Sequence, residues 1–138
     1  MTLPLARSYA PMEALLVAEL PTGPGWVYEP KWDGFRCVIF RDSDTIDLMS
    51  KAGKPLARYF PDLVETIRSI KARQFVLDGE IVIPHEESLS FDELLLRIHP
   101  ADSRVRKLAA EHPASFVAFD LLVDGTGKSL VELPFAER

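Results

Sequence analysis

The chain has 138 residues, 47% hydrophobic and 27% charged, the range of one globular domain able to bury a core without metal or disulfide support. Sixteen basic against 21 acidic residues give a net charge of −5, which excludes holding nucleic acid by bulk charge and leaves only local patches for such contacts. No stretch approaches the roughly 20 apolar residues of a membrane span, and residues 1–10 lack the basic and apolar regions of a secretion signal. A cytoplasmic protein away from the membrane is expected.

The charges are unevenly placed. Lys31 to Arg73 holds nine basic and six acidic residues, Gln74 to Glu93 six acidic and no basic, and Arg97 to Lys107 four basic and one acidic. A carboxylate-rich segment thus lies between two mildly basic ones, a pattern that solvated faces also produce.

The proline-rich first 25 residues read as a lead-in segment, with a short helix over Met12 to Leu20 before the turn at residues 21–25. Trp26 to Tyr28 and Phe35 to Arg41 read as strands, and Thr45 to Ser50 as the return of a hairpin around residues 42–44. Cys37 lies in the apolar run Cys37, Val38, Ile39, Phe40 and reads as a small buried hydrophobe. Pro61 opens a helix with Leu63, Val64, Ile67 and Ile70 on one face.

Phe75 to Ile83 is a strand whose apolar run is broken by Asp78, Gly79 and Glu80. Carboxylates within a buried strand are costly without partners, so this strand is expected to line a site. Ser90 followed by Glu93 is a capping-box pattern that starts a second helix. Asp102 to Ala110 reads as a third helix, Ser115 to Val123 as an apolar strand, and residues 124–127 as its turn. Strands linked partly by hairpins, with helices between them, indicate an α+β fold with a mostly antiparallel sheet. Gly127, Lys128, Ser129 is not a phosphate loop: the glycine required five residues before Gly127 is Leu122.

The run Glu29, Pro30, Lys31, Trp32, Asp33, Gly34, Phe35, Arg36 concentrates chemistry. In extended backbone Glu29, Lys31 and Asp33 project to one side, and Gly34 lets a ligand approach the main chain. A lysine partly desolvated by Trp32 and Tyr28 and held near Arg36 meets the conditions for a nucleophilic amine. A surface turn with paired charges is the plainer reading of the same residues.

The order Lys31, Trp32, Asp33, Gly34, Phe35, Arg36 matches the K-x-D-G-x-R signature, and the chain resembles the covalent nucleotidyltransferases: ATP-dependent DNA ligases, RNA ligases and mRNA capping enzymes. The wider run from Gly23 to Arg36 continues into two further stretches, residues 77–82 and 116–122. Together they are similar to the adenylation domain of bacterial ATP-dependent DNA ligases. The resemblance implies a partial nucleotidyltransferase (ATP-grasp-like) adenylation fold over residues 26–138, after the lead-in of residues 1–25. By the same resemblance, the family's fourth and fifth motifs and its OB-fold domain would lie beyond Arg138.

The resemblance also implies roles. Lys31 would attack the α-phosphate of ATP to give lysyl-AMP, steadied by Asp33. Arg36 and Glu80 would hold the ribose, with Glu80 also placing Mg²⁺ through a bound water. Glu29 would accept from the adenine amino group, and Phe119, which by burial alone reads as core, would stack on the base. The implied partners are nicked duplex DNA for the full-length family member, held weakly by this chain, and a protein supplying the remaining motifs. Where such ligases carry a DNA-gripping Ser-Arg-Asn-Gly stretch, this chain has Ser50, Lys51, Ala52, Gly53, losing the forked guanidinium. The alternatives are a non-catalytic nucleotide- or partner-binding remnant, and an RNA ligase or capping nucleotidyltransferase.

Overall fold

The computed structural model describes residues 3–138. Strand β1 (Phe35–Asp42) turns through Ser43 and Asp44 into β2 (Thr45–Ser50), with Ser43 at φ +55°. Helix α1 (Pro61–Arg68) leads to β3 (Gln74–Val82), which is followed by a small hairpin of β4 (Pro84–His85) and β5 (Ser88–Leu89). Helices α2 (Phe91–Arg97) and α3 (Asp102–Glu111) precede β6 (Ser115–Val123). The main sheet has the order β2-β1-β3-β6, every neighbouring pair antiparallel.

Register assigns the two faces. Arg36 lies opposite Glu80, Val38 opposite Asp78 and Phe40 opposite Val76, so these six share one face while Cys37, Ile39, Phe75 and Ile81 share the other. The second face meets Leu63 and Ile67 of α1, Leu94 of α2 and Phe60 in the larger core. Cys37 is fully buried there, and desolvation pushes its thiol up to about 12, which makes it a packing residue. On the first face Val38, Phe40, Val76, Leu122 and Val123 are covered by Leu3, Leu5 and Tyr9 of the N-terminal segment.

Helix ends explain smaller departures from the sequence reading. Pro61 starts α1 as expected, but the helix stops at Arg68, so Ile70 falls beyond it and is 39% exposed. The buried Arg41 donates to the Ile67 and Ile70 carbonyls at 2.7 Å each, satisfying acceptors that a helix end leaves open. Ser90 caps α2 by accepting from the Glu93 N–H at 3.2 Å. The reciprocal arm of the box is not made, because the Ser90 N–H donates to the Ile83 carbonyl at 2.8 Å.

Two expected elements are absent among the described residues. Met12 to Leu20 is not helical and Trp26 to Tyr28 is not a strand; residues 11–34 carry no helix or strand at all. A nine-residue helix bounded by Pro11 and Pro21 is too short to be stable without a surface to cover its apolar side, and Leu15 and Leu16 are 84% and 97% exposed. A strand needs a partner, and residues 26–28 pair with neither edge of the sheet. The strand expected over Phe75 to Ile83 is present as β3, running unbroken through Asp78, Gly79 and Glu80.

Behind the sheet, Arg97 at the end of α2 is fully buried and grips Asp62 of α1 with both terminal nitrogens, at 2.9 and 2.8 Å. It also donates to the carbonyls of Tyr59 and His112 at 3.0 Å each, while Asp62 accepts the Ala114 N–H at 2.7 Å. Burial pushes the Asp62 carboxyl up, but Arg97 and this N–H outweigh it and leave the group below its ordinary value. One charge pair therefore joins α1, α2 and the segment leading into β6.

Candidate active site

The first sheet face ends in a pocket of about 500 Å³ between the strand ends, the loop before β1, and residues 12–14 of the N-terminal segment. Its floor carries Arg36 from β1, Asp78 and Glu80 from β3, and Phe119 and Asp120 from β6; Glu29, Lys31 and Trp32 form one rim. Strand register brings Arg36 beside Glu80, directly across the β1–β3 pair. Residues separated by more than 40 positions thus meet because an antiparallel ladder aligns them.

Arg36 is held from two sides. Its Nε donates to Asp78 Oδ1 at 2.8 Å and Nη2 to Asp78 Oδ2 at 2.7 Å, with a further bond from Nη2 to the Met12 carbonyl at 2.7 Å. Nη1 has no hydrogen-bond partner among the described residues. The guanidinium carbon stands 5.0 Å from the centre of the Phe119 ring, within cation–π range. The hydrogen bonds to buried Asp78 hold Arg36 above the ordinary arginine value, against the desolvation that lowers it.

Glu80 is the unsatisfied group of the site. Its Oε2 is buried without a hydrogen-bond partner. Desolvation raises its carboxyl above the usual range; Arg36, the Gly34 N–H and Lys31 act against this rise, and Asp33 adds to it. A carboxylate oxygen withheld from water and unpaired is the kind of defect that a bound ligand or cation repairs. Among the described residues no group of three or more histidine, cysteine or acidic side chains is arranged to hold a metal by itself. Magnesium needs no such group, since it keeps several waters and uses one or two carboxylates together with substrate phosphates.

The rim differs from what local sequence implied. Lys31 is exposed, and so is Tyr28, whose hydroxyl donates to the Pro21 carbonyl; the desolvation expected from Trp32 and Tyr28 is absent. Gly34 admits no ligand to the main chain: a side chain there would collide with the Ile81 carbonyl, so the missing Cβ lets β3 approach. Glu29 lines the pocket, whereas Asp33 is exposed and does not. The lining holds three cations, Lys31, Arg36 and Arg138, against five carboxylates, Glu13, Glu29, Asp78, Glu80 and Asp120. Both arginines are committed to carboxylates, which leaves Lys31 as the lining cation without an ion pair.

The profile of the ATP-dependent DNA ligase domain matches residues 4–138. The chain belongs to that family. DNA ligase C of Mycobacterium tuberculosis is 49% identical over the whole chain, which covers 38% of that protein, and DNA ligase C2 of Mycolicibacterium smegmatis is 46% identical with the same coverage. Among solved structures, a mycobacterial DNA ligase D complexed with ATP and MES superposes with a TM-score of 0.59 at 26% identity, over 80% of this chain and 33% of that one. The ligase domain of M. tuberculosis LigD gives a TM-score of 0.60 at 25% identity with the same coverage. The chain spans about two-fifths of the length of the curated ligases named here.

Within this ligase family member, sequence reasoning passed over the residues that hold the site residues in place. Asp78 was noted only as half of an acidic pair, and Asp120 and Arg138 were given no role. The signal for Asp78 was present, because a buried carboxylate opposite β1 requires a cation. For Arg138 there was none: 18 positions separate it from Asp120, and only the fold brings them together.

Proposed function

We propose that the chain provides the ATP-binding, nucleophile-bearing part of a DNA ligase adenylation domain. Lys31, as the neutral amine, attacks the α-phosphorus of ATP; an N–P bond forms, the P–O bond to pyrophosphate breaks, and the ammonium proton is lost to solvent. The lysyl-AMP so formed is passed in the complete ligase to the 5′-phosphate of nicked duplex DNA. The observation that carries this reading is the convergence of Lys31, Arg36, Glu80 and Phe119 on one pocket in which a buried Glu80 oxygen has no protein partner.

Each residue has work suited to its surroundings. Arg36, fixed by Asp78, keeps Nη1 for a ribose hydroxyl, and Glu80 accepts from the same sugar. Phe119 offers a ring face to the base and Glu29 an acceptor to the adenine amino group. Asp33, exposed outside the pocket lining and without an ion pair to Lys31 in this structure, would steady the amine only through its nearby charge. Glu80 would be the carboxylate that helps to hold Mg²⁺, its buried oxygen lacking a protein partner. The ion would offset charge on the triphosphate, which a pocket with more carboxylates than cations otherwise repels.

Incubation with α-labelled ATP and Mg²⁺ followed by a denaturing gel tests the reaction. Weak labelling is expected, since Arg36 and Arg138 are committed to carboxylates and Lys31 alone is uncommitted, so the described pocket offers little positive charge to the triphosphate. The label vanishes in Lys31→Ala; its persistence there would show that another residue is the nucleophile. The excess of carboxylates supports a second reading, a nucleotide-binding element without chemistry, and that reading gains if calorimetry detects ATP binding while no label appears.

A further inference from the structure

Phe119 reaches the pocket through an irregularity in β6. Gly79 pairs with Ala118 and Asp78 with Asp120, so one step along β3 is matched by two along β6 and Phe119 is the residue left over. A bulge of this kind bends its strand and re-aims a side chain. It also sets Asp120 directly opposite Asp78, two carboxylates whose side chains are only 12% and 4% exposed. Like charges facing across a strand pair, and largely out of water, disfavour that register.

Each carboxylate has its own guanidinium. Arg36 forks onto Asp78 as described. Arg138 forks onto Asp120 through Nε at 2.8 Å and the second terminal nitrogen at 2.9 Å, while its Nη1 donates to the Leu133 carbonyl at 2.6 Å. The Arg138 side chain is 9% exposed, and the hydrogen bond to Asp120 holds it above the ordinary arginine value.

We propose that the Asp120–Arg138 fork is a positioning device for Phe119, stabilising the bulged register that turns this ring into the nucleotide pocket. The proposal rests on the assignment of Phe119 as the base contact. With Arg138 removed, two facing carboxylates share one guanidinium. Sliding β6 by one residue relieves that repulsion and draws Phe119 into the ladder, away from the base. Arg138 acts here through Asp120 and Phe119 and makes no contact with the nucleotide of its own.

The test is a double-mutant cycle on the full chain, read by calorimetric titration of ATP with Mg²⁺. Phe119→Ala and Arg138→Gln each weaken ATP binding about tenfold, the scale of one base–aromatic stack. The double variant Phe119→Ala with Arg138→Gln binds no more weakly than Phe119→Ala alone. Adding Asp120→Asn to Arg138→Gln removes the second charge and restores most of the affinity. Losses that multiply in the double variant would overturn the positioning role. Wild-type affinity in Phe119→Ala, or no binding by the unaltered chain, would overturn the base-contact reading instead. Amide hydrogen exchange gives an independent readout: Arg138→Gln speeds exchange at residues 118–121 and leaves the β1–β2 hairpin unchanged. Uniform loss of protection would mean that Arg138 serves only global stability.

Discussion

The two faces of the sheet use the same device, an arginine forked onto a carboxylate, to opposite ends. Behind the sheet Arg97 is fully buried, and its two terminal nitrogens are spent on Asp62 and two backbone carbonyls. On the pocket face Arg36 is partly open and keeps Nη1 without a partner, and the neighbouring Glu80 has a buried oxygen unpaired. The Arg97 pair uses both terminal nitrogens to tie elements together and leaves only its enclosed Nε unpaired, whereas the Arg36 pair keeps a terminal nitrogen, beside the unpaired Glu80 oxygen, at a pocket where something can bind. The cover differs in the same way: helices α1 and α2 close one face, with α3 packed against α1, while an irregular N-terminal segment with exposed Leu15 and Leu16 lies over part of the other.

The largest expected effect of breaking this contrast lies on the closed face. Arg97→Ala removes one partner of a buried pair, leaving Asp62 with only the Ala114 N–H and without its cation and depriving two carbonyls of their donor, a loss of about 3–5 kcal/mol that urea denaturation reads directly. Lys31→Ala, at an exposed rim position, changes stability by no more than about 0.5 kcal/mol while it removes the label. A stability loss in Lys31→Ala comparable to that in Arg97→Ala would erase the distinction between the faces.

The next effect concerns selectivity. Glu29 can only accept hydrogen bonds, so adenine, which presents an amino donor where guanine presents a carbonyl, is preferred by about 1–3 kcal/mol, or ten- to a hundredfold. Calorimetric comparison of ATP with GTP shows this preference, and Glu29→Ala abolishes it. Equal affinities in the unaltered chain, or an undiminished preference in the variant, would return Glu29 to the status of a surface carboxylate.

Opposite pH responses give the smallest effects. Asp62 sits below its ordinary carboxyl value when folded, so its contribution is complete above the unfolded value near 4 and is lost as pH falls through the lower folded value. Glu80 is shifted upward; its charged form opposes folding, and protonation on acidification relieves that strain. Thermal melts should therefore show Asp62→Asn flattening the acid limb of the stability curve, and Glu80→Gln raising the melting temperature at pH 7 by about 2 °C. A Glu80→Gln variant that melts lower at pH 7 would mean that Glu80 is a structural group and not one held in readiness.

The strands from Phe35 onward, the helices opened by Pro61 and Ser90, and the antiparallel α+β class were legible in the sequence, because alternating or 3.6-residue apolar spacing and local caps are encoded by neighbours along the chain. The same local rules misplaced Met12 to Leu20 and Trp26 to Tyr28, where apolar residues had no surface to pack against. The candidate site residues could be named only through the spacing Lys31–Asp33–Gly34–Arg36 and its family resemblance. What the tertiary structure alone decided was how they are held: that Gly34 makes room for β3, that Arg36 is tied to Asp78, and that a bulge opposite Asp78 turns Phe119 toward the pocket under the grip of Arg138. Those facts depend on contacts between residues 18 to 47 positions apart in sequence, most of them set side by side by the antiparallel ladder, whose register is settled by packing and charge across the whole sheet.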